Sequence, residues 1–283
     1  MINFSSGLIC LLGALAALGA AAIDMYLPSL PSIESELGGV SGSAQFTLSS
    51  FFIGLGLGQL CYGPLSDSLG RRKVLVIGLL IYCLGSLFCF FAGTMMELIV
   101  ARFFQALGAA AGGVIARAMV RDVFSGKKAA QAQSFINLAF SFTPLMAPLF
   151  GGYLLIFFGW RSIFIALLLF GIICLLILIL KIPETLPKEK RNTLRLVSIV
   201  LGYRTILRNS RSIGSILSGA LAFSCMFTYF AASPFIYIDI FKIPDQYYGF
   251  LFGLNVFRYN WNKLDKCKNS HKIWPTSNAT YWR

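Results

Sequence analysis

The stretch GPLSDSLGRRKVL, Gly63 to Leu75, decides how the rest of this chain is read. It is short and charged, and apolar runs flank it at roughly 44–62 and roughly 74–92. Each run is long enough to cross a bilayer as a helix, because about 20 apolar residues span about 30 Å of hydrocarbon. Two such helices joined by so few residues form a tight antiparallel hairpin. Asp67, Arg71, Arg72 and Lys73 then gather at one membrane face.

Composition agrees. The chain is 57% hydrophobic and only 12% charged, whereas soluble domains carry about 25% charged residues. Apolar runs of spanning length recur at roughly 7–27, 44–64, 74–93, 97–118, 131–156, 161–180 and 212–233, and an eighth begins near Tyr248. Length and number, rather than periodicity, mark these as membrane helices. The first run lacks a basic n-region and a small-residue cleavage site, so it reads as a span and not as a cleavable signal peptide. The fold class is therefore an all-α polytopic membrane protein. Of the seven cysteines, Cys10, Cys61, Cys83, Cys89, Cys174 and Cys225 lie within apolar spans, where a thiol behaves as a small hydrophobe. No Cys/His spacing suggests a metal, and no cofactor is expected.

The net charge of +13 is unevenly distributed. Arg71, Arg72 and Lys73 sit in one loop, and Arg117, Arg121, Lys127 and Lys128 flank another on the same side. The linker 181–211, also on that side, adds Lys181, Lys188, Lys190, Arg191, Arg195, Arg204, Arg208 and Arg211. The opposite side shows only Arg161 and Lys242. The positive-inside rule makes the basic side cytoplasmic and places the N-terminus there. Topology thus accounts for the charge without a nucleic-acid partner. The linker carries Pro183 and Pro187. Its stretch 194–207 reads either as an amphipathic helix on the inner surface or as a solvated connector.

The last 27 residues, 257–283, differ from everything before them. They hold three of the four tryptophans, the only histidine, and Arg258, Lys263, Lys266 and Lys268, where an eighth span should continue. The segment reads as the product of a truncation or frameshift after about residue 256. A genuine aromatic and basic tail is the alternative.

Gly63, Leu65, Asp67, Gly70, Arg71, Arg72 and Lys73 match, as they stand, the hairpin-loop pattern G-x-L-a-D-r-x-G-r-r-k. On these residues the chain resembles the major facilitator superfamily. Asp24-Met25-Tyr26-Leu27-Pro28, closing the first span, resembles the first-helix motif of its 12-helix drug/proton antiporters, nearest to the bicyclomycin and chloramphenicol resistance type. Arg102-x-x-Gln105-x-x-Gly108 resembles the proton-linked motif of the fourth helix, with Ala106 in place of a glycine. Ala147-Pro148-Leu-Phe-Gly151-Gly152 resembles the antiporter motif of the fifth, with Thr143 and Ala147 where that motif has glycine. The resemblance implies an N-terminal six-helix half over 1–180, the linker 181–211, and the start of a second half over 212–256. That is one half of a major facilitator fold, a seventh helix and an incomplete eighth. It further implies that Asp24, Arg102 and Gln105 couple protons to transport. Gly63, Asp67, Gly70, Arg71 and Arg72 would form a cytoplasmic gating loop, and Pro148, Gly151 and Gly152 the antiporter motif.

The residues support part of this independently. Asp24 lies about 25 Å along the first helix, and Arg102 about five residues into a helix running the other way, so both fall in the outer third of the bilayer. An intramembrane charge costs at least about 2.5–3.5 kcal/mol, which makes charges at matched depth natural partners. Against this, Asp24 can cap the helix end at the headgroups, and Arg102 can snorkel to the interface. Asp67 and Arg71, four apart, form either a latch between the two halves or a solvated turn. Gly54/Gly58 and Gly108/Gly112 read as packing faces. Phe51, Phe52, Phe103, Phe104, Phe140 and Phe142 are candidates for an apolar cavity wall, although such rings often face lipid. The expected function is proton-coupled efflux of small amphiphilic drugs across the inner membrane by alternating access. A non-transporting truncated remnant and a metabolite importer of the same fold remain as alternatives. No nucleotide loop or catalytic triad points to an enzyme.

Overall fold

The computed structural model describes residues 6–38, 40, 42–191, 196–244 and 247–254. The segment 257–283 and Arg195 lie outside them. Among the described residues every regular element is helical: α1 Ser6–Asp24, α2 Leu30–Glu36, α3 Ala44–Leu69, α4 Arg71–Phe91, α5 Met95–Val123, α6 Gly126–Phe158 and α7 Arg161–Lys181. Helix α8, Leu196–Arg208, lies in the linker and precedes α9, Ser210–Pro234, which winds on as a π-helical turn, Phe235–Ile240. Helix α10 occupies residues 247–254. Seven of these helical stretches are long and apolar enough to cross a membrane. The molecule is an all-α, multi-pass membrane protein.

The first span ends differently from the sequence reading. Pro28 and Pro31 interrupt it, but each sits at the first or second position of a new helical segment, where a missing N–H costs nothing. The helical path therefore continues through a single turn, Leu27–Ser29, into α2 and ends at Glu36. Glu36 then meets the far end of the six-helix unit. It pairs with Arg161 and accepts from Trp160 Nε1 at 2.8 Å, while Arg161 Nη2 donates to the Ala92 carbonyl at 3.2 Å.

The charged stretch is also tighter than a loop. Helix α3 runs on to Leu69 and α4 begins at Arg71, so Gly70 alone makes the turn, with φ 101°. That left-handed backbone favours a residue without Cβ. Pro64 lies inside α3 and cannot bond the Leu60 carbonyl four residues back. Tyr203 of α8 donates to that carbonyl instead, at 2.8 Å, which ties the linker helix to the bundle.

Helix α5 forms the centre, with α1, α3 and α4 packed around it. The approach is close because the contact residues are small. A Cβ on Gly58 would stand 2.6 Å from Ala110 Cβ, and one on Gly108 would run into the backbone of Tyr82. Gly112 meets the Leu15 carbonyl of α1 in the same way. The start of α5 is set by Thr94, whose side chain accepts from Glu97 N at 3.3 Å while Glu97 reaches back to Gly93 N at 2.8 Å.

The elements after the linker touch the first six helices closely at the end that carries Asp24. Phe230, Ser233, Tyr248 and Phe252 are buried there, whereas residues 214–225 of α9 are exposed.

Candidate functional site

Arg102 is the largest fully buried side chain among the described residues, at 0% exposure. Its Nη1 donates to the Ala22 carbonyl at 3.0 Å and to Gln105 Oε1 at 2.6 Å. Gln105 Nε2 donates in turn to Ser86 Oγ at 2.8 Å, and Ser86 Oγ to the Tyr82 carbonyl at 2.9 Å. The guanidinium carbon sits 4.2 Å from the Phe51 ring centroid and 4.4 Å from that of Tyr26. Tyr26 is fixed by a 2.8 Å hydrogen bond to Thr47. Arg102 Nε and Nη2 are sealed from solvent without an acceptor.

The expected pairing of Asp24 with Arg102 is corrected here. Among the described residues no ion pair joins them, and the Asp24 carboxylate, on a residue 3% exposed, makes no hydrogen bond. Depth was matched, but direction was not: residues two apart on a helix face about 200° away from each other. Arg102 meets α1 at Ala22. That carbonyl is free because the Tyr26 amide bonds Ile23 instead, at 3.2 Å, where α1 tightens at its end. A cation at a helix C-terminus is favourable in its own right. Two π-faces add to this, so the charge is accommodated without a carboxylate. Snorkelling is excluded by the burial.

Asp24 instead lies on the side where the second-half elements dock. Gly151 of α6 presses on the Met25 carbonyl, and Gly249 of α10 presses on the backbone of Pro148 and Leu149. Pro148, Gly151 and Gly152 are all buried. The α6 motif thus forms a slim wall between the end of α1 and the start of α10. Beside Gly249, Tyr248 is buried, and its Oη lies 2.9 Å from Ser233 Oγ. Neither Tyr248 nor Ser233 was singled out from the sequence.

At the opposite end, Asp67 and Arg71 form an ion pair of 2.5 Å across Gly70. Arg71 also bonds Asp122 Oδ2 at 2.9 Å and Ser66 Oγ at 2.7 Å. Glu184, just beyond α7, accepts from the Arg71 amide at 2.9 Å and lies 3.6 Å from Arg191. Arg72 Nη2 donates to the Ile179 carbonyl at 2.7 Å. The loop is a packed junction of α3, α4, α5 and the linker, so the solvated-turn reading fails. Asp122 and Glu184 were missed; an acid at the tip of an apolar helix was the signal in each case. A side chain at Gly63 would meet open space, so its glycine has no steric role here.

The aromatic candidates divide. Phe51 is buried under Arg102, Phe52 packs on Phe227 of α9 with ring centroids 4.2 Å apart, and Phe104, Phe140 and Phe142 are exposed.

The chain matches the Major Facilitator Superfamily over residues 9–257. It is 38% identical over 247 residues to the uncharacterized MFS-type transporter YdgK of Bacillus subtilis, an alignment covering 87% of this chain and 61% of that one. It is 33% identical over 245 residues to a bicyclomycin resistance protein homolog of Haemophilus influenzae, with 87% and 62% covered. A solved bacterial homolog of the human lysosomal transporter Spinster superposes at TM-score 0.76 and 17% identity, over 99% of this chain and 66% of that one. That last likeness concerns the fold alone. The chain belongs to the major facilitator superfamily, a family of membrane transporters and not of enzymes. It spans 61–62% of the length of the two curated relatives named.

Proposed function

We propose that this protein exports small amphiphilic drugs across the inner membrane in exchange for protons, by alternating access between two helical halves. The observation that carries the reading is Asp24: a carboxyl inside a span, 3% exposed, with no counter-ion among the described residues, at the seam between the first six helices and the elements that follow. Such a residue is costly to keep in a membrane and marks an ion or proton pathway. The named resistance relatives support the substrate class, among them multidrug resistance protein D of Escherichia coli at 32% identity over 203 residues. The distribution of Lys and Arg supports a cytoplasmic N-terminus. Asp24→Asn is expected to abolish proton-driven drug efflux while membrane insertion is retained. Efflux at the unsubstituted rate would remove Asp24 from the coupling site.

A second reading is that residues 1–283 alone do not transport. Its support is the exposed length of α9, residues 214–225, in a chain that spans 61–62% of its relatives. Drug susceptibility of a pump-deficient host expressing this chain, against empty vector, decides between the two readings.

A further inference from the structure

Helix α8 divides its residues between two faces. Val200, Tyr203 and Leu207 follow at intervals of three and four and share one side. Gly202 and Thr205 lie on the opposite side. Arg204 and Arg208, four apart, run along the border between the two, with Leu201 beside them. Arg211 follows just past Asn209, the cap of α9.

This surface is uncovered. Val200, Leu201, Ile206 and Leu207 are exposed, and so are Arg204, Arg208 and Arg211. Among the described residues no carboxylate pairs with any of the three guanidiniums. The sequence offers none nearby: residues 191–238 carry five arginines and no Asp or Glu.

Tyr203 fixes the depth at which the helix lies. Its hydroxyl donates to the Leu60 carbonyl at 2.8 Å. Leu60 precedes Leu69, the last residue of α3, by nine positions, which places that carbonyl about 14 Å from the tip beside Gly70. The whole of α3 is about 39 Å long, against about 30 Å of hydrocarbon, so only a few Å at each end stand clear of the core. The Leu60 carbonyl therefore lies inside the hydrocarbon. A helix that reaches it with one side chain lies at the boundary of acyl chains and headgroups, where an amphipathic helix rests. A connector bathed in water would have neither this anchor nor an exposed apolar face.

We propose that α8 is a docking surface for anionic phospholipid. Val200, Ile206 and Leu207 enter the acyl boundary, and Arg204, Arg208 and Arg211 hold the headgroup phosphates. A guanidinium suits this task because its planar fork matches two phosphate oxygens at once. With no acid in the segment, every charge on it is attracted to an anionic surface. The apolar face at hydrocarbon depth selects a lipid over an acidic protein segment, which would meet the arginines from water. Since α8 joins the six-helix unit to the elements that follow, lipid charge would hold this connector in place. The proposal does not depend on the transport reading.

The test asks which lipid stands beside α8. A bimane label is placed on Leu207→Cys in the otherwise cysteine-free chain of residues 1–283. The protein is reconstituted in phosphatidylcholine vesicles with a minor share of phosphatidylglycerol, and bromine quencher is carried on the acyl chains of one lipid or the other. Quenching by each gives their relative association at that position. Phosphatidylglycerol should be favoured about fivefold or more, since one arginine near an anionic surface contributes about 1 kcal/mol. A label on Phe88→Cys, exposed towards the other end of α4, should show no preference. Arg204→Gln, Arg208→Gln and Arg211→Gln together should bring the Leu207→Cys preference down to about one. The three corresponding lysine substitutions keep the charge and should keep a preference. A label quenched by neither lipid, equal quenching by both in the unsubstituted helix, or a preference that survives the three glutamines overturns the proposal. Loss of the preference in the lysine variant would overturn its electrostatic basis.

Discussion

Arg102 Nη1 lies 3.0 Å from the Ala22 carbonyl oxygen, so the buried cation closes the end of α1 and does not pair with Asp24 two residues on. The two charges of the membrane interior therefore have separate surroundings. The arginine belongs to the six-helix core, and the aspartate belongs to the seam with the second half.

The planar fork of Arg102 serves a carbonyl, an amide and two rings at once. A lysine ammonium is a single strongly hydrated point and cannot do so. Arg102→Lys is expected to lower the melting temperature in detergent by several degrees. Arg102→Met leaves the buried Ala22 carbonyl and Gln105 Oε1 without their donor and should cost about 1–3 kcal/mol. Both should lose drug transport. A Lys variant as stable as the unsubstituted protein would contradict the role assigned to the planar fork and the aromatic cage.

Arg71→Ala strands Asp122, in the last turn of α5, as well as Asp67. The expected loss is about 1–3 kcal/mol, the cost of a partly buried group left unpaired. Asp67→Asn should cost less, because Asp67 is the more exposed partner. In both variants transport rate should fall more than equilibrium drug binding, because the junction lies at the end away from Asp24. Binding that falls in parallel would count against a gating role.

Gly151→Val places a branched side chain on the Met25 carbonyl. Neither backbone can yield without moving α6 away from α1, so the seam should fail to close. Drug transport should be lost and the melting temperature in detergent should fall by several degrees. Gly63→Ala, with open space around it, should behave like the unsubstituted protein in this conformation.

Tyr203→Phe should cost about 1 kcal/mol and raise protease sensitivity of the linker, since Tyr203 satisfies the carbonyl that Pro64 leaves free. Pro64→Ala supplies an amide to that carbonyl from within α3. In the double variant the tyrosine should therefore matter less. Equal effects of Tyr203→Phe in both backgrounds would show that the two residues are uncoupled.

The number of spans and the sharp hairpin were legible in the sequence because a bilayer imposes one strong rule: about 20 apolar residues per crossing, with backbone bonds satisfied inside each helix; the family was legible only as a resemblance, carried by motifs such as Gly63 to Lys73. That rule acts along the chain, where a sequence has its information. It also placed Asp24 and Arg102 at matched depth, but depth is one coordinate. The other is rotation about the helix axis, and small residues such as Gly108 and Gly112 fix it through packing that no local pattern encodes. Only the tertiary structure could therefore turn Arg102 towards the Ala22 carbonyl, assign Asp122 and Glu184 to Arg71, and bring Tyr248, 224 positions after Asp24 in the sequence, to the same seam.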